Sequence, residues 1–350
     1  MHPAQVLDFQ ADLVARFDMP DMMDYVRKHF VIDHSTTLMG AGMTSEVAHR
    51  RAEEQVPSLL EGHRVALRVG SAYYVDPDMT ELITWAAAGM DATDVFRRDV
   101  LPTTSGFAYF ENPWIIHDVR GVDLKVNAVL WHPTRTYDVK SGEIRHGILM
   151  MMLNDQDHTP DDIALDLLRD VRKRGTYDIY RATMGRWGII GWEVMVDNTQ
   201  VGPEVIELTT YKRDELLGEG IMPSDFTNSR RIMLAFWLML GQTITDVSES
   251  EIPRAFARRA RRMGIPDRVS IIRLRRRVMQ ERGVGEVAVE WSHRWYSRGH
   301  WRWQPVSEHH PLAEPDGSGG WKARLWVRES IKGPADKPLI ITEKVYHLAD

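Results

Sequence analysis

LKVNAVLWHPTRTYDVKSGEIRHGILMMML (Leu124–Leu153) holds two apolar runs separated by a polar, glycine-containing segment. Leu124–Trp131 and Ile144–Leu153 are each long enough for a strand, and the link between them predicts adjacent antiparallel neighbours. Gly106–Glu111 reads as another strand upstream. Downstream, Tyr177–Val196 and Val205–Tyr211 return to β character, although glycines interrupt the ladder of Trp187, Ile189, Gly191 and Glu193 and leave its register open. Between them, Thr159-Pro160-Asp161-Asp162 is a helix start with a cap, a proline at the first position and early acids. Ile163, Leu167, Leu168 and Val171 then share one side.

The first sixty residues read as helical. Val6, Phe9, Leu13 and Phe17 recur at helical spacing, and Pro20 ends that run. Met22, Tyr25, Val26 and Phe30 suggest a second short helix. Ser45–Glu61 suggests a third, with a kink or break at Pro57. Val65, Leu67 and Val69 alternate and Gly70-Ser71 offers a turn, which predicts a hairpin returning through Ala72–Val75. Asp78 with Glu81 has the spacing of a capping box for a helix reaching Ala88.

Beyond the central strands, Asn228–Thr243 and Pro253–Met263 read as helices, the second ended by Gly264-Ile265-Pro266. Arg268–Val278 alternates, with Ile272, Leu274 and Val278 against Arg273, Arg275 and Arg277. In WSHRWYSRGHWRWQ (Trp291–Gln304), one strand bent at Gly299 would carry an indole face and a guanidinium face. Ala323–Ser330 and Ile340–Leu348 are further strands. The fold expected is α+β: N-terminal helices, a mostly antiparallel central sheet and a basic, β-rich C-terminal region. A division falls between residues 1–220, an acidic α+β body, and 221–350, a basic helix-plus-sheet region, though both can belong to one domain.

Charge supports that division. Of the 350 residues, the last hundred hold 20 Lys and Arg against 12 Asp and Glu, and the first 250 hold 24 against 38. The chain has no cysteine, which excludes disulfides, thiolate nucleophiles and Cys-ligated metals. Its longest apolar run, Ile232–Leu240, is far short of the ~20 residues that span a bilayer, and its start lacks secretory-signal features, so a cytoplasmic setting is expected. Phosphate-loop, nucleophile-elbow, zincin and EF-hand motifs are missing, and no cofactor is implied.

Three functional readings remain open. Eleven arginines crowd Arg254–Arg282. If Arg268–Val278 pairs with Trp291–Gln304, two like-charged faces lie side by side and call for an outside polyanion. Arg273, Arg275, Arg277, Arg294, Arg298 and Arg302 would then bind DNA or RNA, with Arg258, Arg259, Arg261 and Arg262 adding helix-to-phosphate contacts. Alternatively, Asp155, Asp157 and His158 would hold Mg²⁺ or Mn²⁺ in a phosphodiesterase or nuclease. A third reading is a protein-interaction module.

HRWYSRGHWRWQ (293–304), RLWVRESIKGP (324–334), KPL (337–339) and VYHL (345–348), with LPTTSGFAYFENP (101–113), resemble a signature found in a set of actinobacterial and actinobacteriophage proteins. No activity is attached to that set. The resemblance therefore implies no catalytic residue and an actinobacterial or actinophage setting, in which a protein-interaction module would block a host or phage factor. Trp303 stands where a polar or basic residue is expected.

Overall fold

Strand β1 (Ser71–Val75), SAYYV, is buried on both faces. Ala72 and Tyr74 enter one apolar cluster, and Tyr73 and Val75 enter another. Such a strand belongs in the middle of a sheet covered on both sides. The computed structural model places it there. It describes residues 1–20, 42–90, 96–117, 123–137, 144–157, 186–196, 227–242, 244–274, 294–297, 299–327, 330–332 and 339–340, with isolated positions between 24 and 39.

The sheet's other strands are β2 (Gly106–His117), β3 (Asp123–Tyr137), β4 (Ile144–Asp155), β5 (Trp187–Val196), β6 (Thr245–Glu249) and β7 (Val269–Leu274). Their order is β5-β4-β3-β2-β1-β7-β6. β1 runs parallel to both its neighbours, and the remaining pairs are antiparallel. The sheet is thus mixed but mostly antiparallel, and the chain is α+β. β3 and β4 pair from Ala128↔Leu153 to Tyr137↔Ile144, so β3 continues six residues past Trp131. The tail HPTRTY looks like loop by composition but pairs along the strand.

Helices cover both faces. On one side lie α1 (Gln5–Phe17), α2 (Ser45–Val69) and α5 (Arg254–Met263). On the other lie α3 (Pro77–Ala88) and α4 (Thr227–Leu240). Alternation along β4 shows the division: Leu149, Met151 and Leu153 face the first layer, and Ile148, Met150 and Met152 face the second. Among the described residues, no helix is long and apolar enough to cross a membrane.

Several expectations need correction. The predicted hairpin does not form. Val65–Val69 is the last turn of α2, Gly70 caps it, and β1 pairs in parallel with distant strands. Leu59, Leu60, His63, Ala66 and Leu67 are the buried positions of that helix, a 3.6-residue period that overrides the alternation of the valines. Pro57 lies inside α2 without ending it. The cap of α3 is Asp76, whose carboxylate accepts from the Met79 N–H at 2.8 Å, with Pro77 opening the helix.

The expected long strand across Gly299 is two strands in separate three-stranded sheets. β8 (Arg294–Ser297) lies between β12 (Ser330–Lys332) and β13 (Leu339–Ile340). β9 (His300–Pro305) pairs with β11 (Trp321–Val327), whose other edge carries β10 (Glu314–Pro315). A Cβ at Gly299 would strike the Trp326 indole, so a close approach rather than a simple bend requires glycine there. The helix expected after Thr159 and the strand at Val205–Tyr211 lie outside the described residues.

Gly106 is the tightest glycine of the main sheet: a Cβ would run into the ring of fully buried Trp131. Gly106→Ala is expected to cost about 1–3 kcal/mol through overpacking, read as a lower urea midpoint with unchanged slope.

Candidate nucleic-acid interface

Helix α5, RAFARRARRM, connects β6 to β7. Alanine and arginine favour the helix intrinsically. Gly264 stops it at φ 68°, a left-handed conformation that suits glycine. The Ile265 N–H then reaches back to the Ala260 carbonyl at 3.0 Å, while the Ile265 side chain is buried. This is a Schellman closure, with Pro266 following.

Ala257 and Ala260 face inward, and Ala260 belongs to the cluster shared with α1. Arg259 turns toward α1, where its Nη1 meets Asp8 Oδ1 at 3.2 Å. Arg254, Arg258, Arg261 and Arg262 occupy a stripe about 100° wide on the outer face. Together with Ile252, Ala257 and Asp267 they line an open concavity of about 680 Å³.

Asp267 offers little compensation. It lies 3.4 Å from Arg261, with side chains 73% and 44% exposed, where a pair is worth ~0–1 kcal/mol. Among the described residues, no carboxylate lies within ion-pair distance of Arg254, Arg258 or Arg262. Like charges three and four apart cost roughly 0.2–0.5 kcal/mol per pair. The helix C-terminus favours Arg261 and Arg262 by a similar amount. The helix therefore tolerates the stripe, and the positive potential stays open to solvent.

The other arginines are dispersed. Val269–Leu274 pairs with β1 and β6, so among the described residues the expected juxtaposition of Arg268–Val278 with Trp291–Gln304 does not occur. Arg273 stands opposite Asp246 in register and acts electrostatically on Asp76. Arg302 is exposed on β9, on the far side of the main sheet from α5. That strand is anchored by Trp301, whose indole donates to the Ala86 carbonyl at 2.9 Å. Trp303, 48% exposed, lies under the Lys322 ammonium at 4.9 Å. Arg275, Arg277, Arg298 and the side chain of Arg294 lie outside the described residues.

Asp155 is fully buried at the end of β4. It accepts from Arg186 Nε at 2.8 Å, from Arg186 Nη2 and from the Tyr109 hydroxyl at 3.1 Å. Arg186 also lies over the Phe9 ring at 4.1 Å. Burial and the neighbouring Asp155 push the Tyr109 phenol above its ordinary pKa, which keeps it a donor. The carboxylate proposed for metal is thus tied to a guanidinium, joining α1, β2, β4 and the start of β5. Asp157 is exposed, and His158 lies outside the described residues. Among the described residues, no three His, Asp or Glu side chains gather as a metal site.

The sequence reading missed Arg254 and Arg186. Arg254, Arg258 and Arg262 follow one another at four-residue spacing, a signal available in the sequence. Arg186 carries no local mark of its bond to Asp155, 31 residues away.

No protein-family model and no curated protein matches the chain. A solved structure titled "Crystal structure of AcrVA2" is similar at 11% identity and a TM-score of 0.36, covering 95% of this chain and all of that one.

If Asp155 serves structure, removing its partner should be severe. Arg186→Ala is expected to lower stability by ~3–5 kcal/mol by stranding a buried carboxylate. Adding Asp155→Asn should restore part of that loss in a urea-denaturation cycle.

Proposed function

We propose that the protein binds nucleic acid through its phosphate backbone, using the outer face of α5. The observation that supports this is the row Arg254, Arg258, Arg261 and Arg262 around one concavity, with Asp267 as the lone acid among the lining residues. Guanidinium forks take phosphate oxygens bidentately. Successive arginines four residues apart rise ~6 Å along the helix, a row suited to a chain of anions rather than a single one.

The concavity is lined by aliphatic and charged residues and offers no aromatic ring for stacking a base. Recognition by this surface is therefore of backbone, and binding does not depend on sequence. Arg302 and Trp303 lie across the sheet and stand apart from this surface. Arg259, committed to Asp8, acts as a strut between α5 and α1.

Fluorescence anisotropy with labelled single-stranded DNA, duplex DNA and RNA tests the reading. Wild-type affinity should fall steeply with salt, each phosphate contact adding about 0.9 to the log–log slope on duplex. Arg258→Glu with Arg262→Glu should flatten that slope by about 2 and weaken all sequences alike. Salt-insensitive binding, or an unchanged slope in the double variant, would contradict the assignment.

A further inference from the structure

We propose that His63 and His132 form a pH-sensitive latch that holds α2 on the central sheet at neutral pH and loosens it under mild acid. The two rings come from elements 69 residues apart, α2 and β3, and both are buried. Three bonds join them in series. The Trp192 indole N–H on β5 donates to His63 Nε2 at 3.0 Å. His63 Nδ1 lies 2.7 Å from His132 Nε2, and His132 Nδ1 lies 2.9 Å from the Pro133 carbonyl.

Indole nitrogen can only donate, and a carbonyl can only accept. The series therefore has one neutral arrangement: His63 carries its hydrogen on Nδ1, and His132 carries its own on Nδ1. Every ring nitrogen is satisfied. An added proton has nowhere to go. On His63 Nε2 it would face the Trp192 N–H, and on His132 Nε2 it would face the His63 Nδ1–H. The packing resists rotation to another partner. Phe17 of α1 sits edge-on to His63 at 5.5 Å, and a Cβ at Gly62 would overlap the His132 ring.

Three charged groups on the surrounding elements are engaged elsewhere, and Glu61 of α2 is exposed. Arg64 of α2 donates to the Phe17 carbonyl, Arg68 pairs with Asp18 after α1, and Glu193 of β5 pairs with Arg230 of α4. Among the described residues, no carboxylate lies within ion-pair distance of either ring, so an imidazolium would lack a counter-charge. Burial lowers the pKa of both rings, and for His63 the neighbouring His132 lowers it further. The unfolded chain, with ordinary histidines near 6.5, then binds more protons than the folded one. The latch is fully effective above that value and weakens as pH falls through it. The unfolding equilibrium constant should rise by up to ~10-fold per pH unit for each histidine.

Glutamine presents one acceptor and one donor group with no titration in this range. Thermal unfolding of the wild type and of His63→Gln/His132→Gln, at pH 7.5 and 5.5, is the test. The wild type should lose stability over this interval, and the variant should lose much less. An equal loss in both overturns the proposal. Should the variant not fold, NMR titration of the wild-type imidazoles decides: both rings are expected to titrate below the ordinary histidine value of about 6.5, and a folded-state midpoint at or above that value overturns the latch. Amide exchange at pH 5.5, corrected for intrinsic rates, should show α2 losing protection before β3 and β4. Simultaneous loss would mean global unfolding and would also overturn it.

Discussion

Burial of β1 on both faces is the constraint that organises this molecule. A five-residue strand with Ala72 and Tyr74 in one core and Tyr73 and Val75 in the other cannot lie at a solvent-exposed edge. Parallel pairing with β2 and β7 follows, and parallel neighbours require connections that cross the sheet's faces. α2 precedes β1 on one face, and α3 leaves it on the other. α5, leading into β7, lies with α1 and α2. That placement turns the arginine stripe outward and separates it from β9.

Each face solves a different polar problem. The core on the α1–α2–α5 side buries two sets of titratable groups, each bonded within itself. Asp155 has Arg186 and Tyr109, and His63 and His132 have each other, Trp192 and Pro133. On the α3–α4 side the core is largely aromatic and methionine, with Trp131 in edge contact with both Phe236 and Trp237. The first face fixes geometry through directional bonds, and the second fills volume. Disturbing a bond set strands a partner in a dry interior, which costs more than losing the bond alone.

The central strands were legible because β4 is an apolar run with little else to be, and the cap and stop signals of α5 are local. The end of α2 was not. Its valines at 65 and 69 are exposed helix positions that mimic strand alternation, while the buried histidine at 63 reads as polar. The electrostatic ties were illegible for a related reason. Asp155–Arg186 and His63–His132 are long-range pairs between residues that each look ordinary in place. Of the arginines picked from composition, Arg258, Arg261 and Arg262 share a surface. Arg273 lies among acids and Arg302 lies across the sheet, because strand pairing rather than charge density decided where they went.

The claim at the centre of this account is that the α5 guanidinium face is open and engages a polyanion. Arginine-specific modification with phenylglyoxal, mapped by mass spectrometry with and without nucleic acid, examines it residue by residue. Arg254, Arg258, Arg261 and Arg262 should react readily in the protein alone and be protected by the ligand, while Arg186 stays slow in both. Equal labelling of the four with and without nucleic acid, or low reactivity in the protein alone, would contradict it.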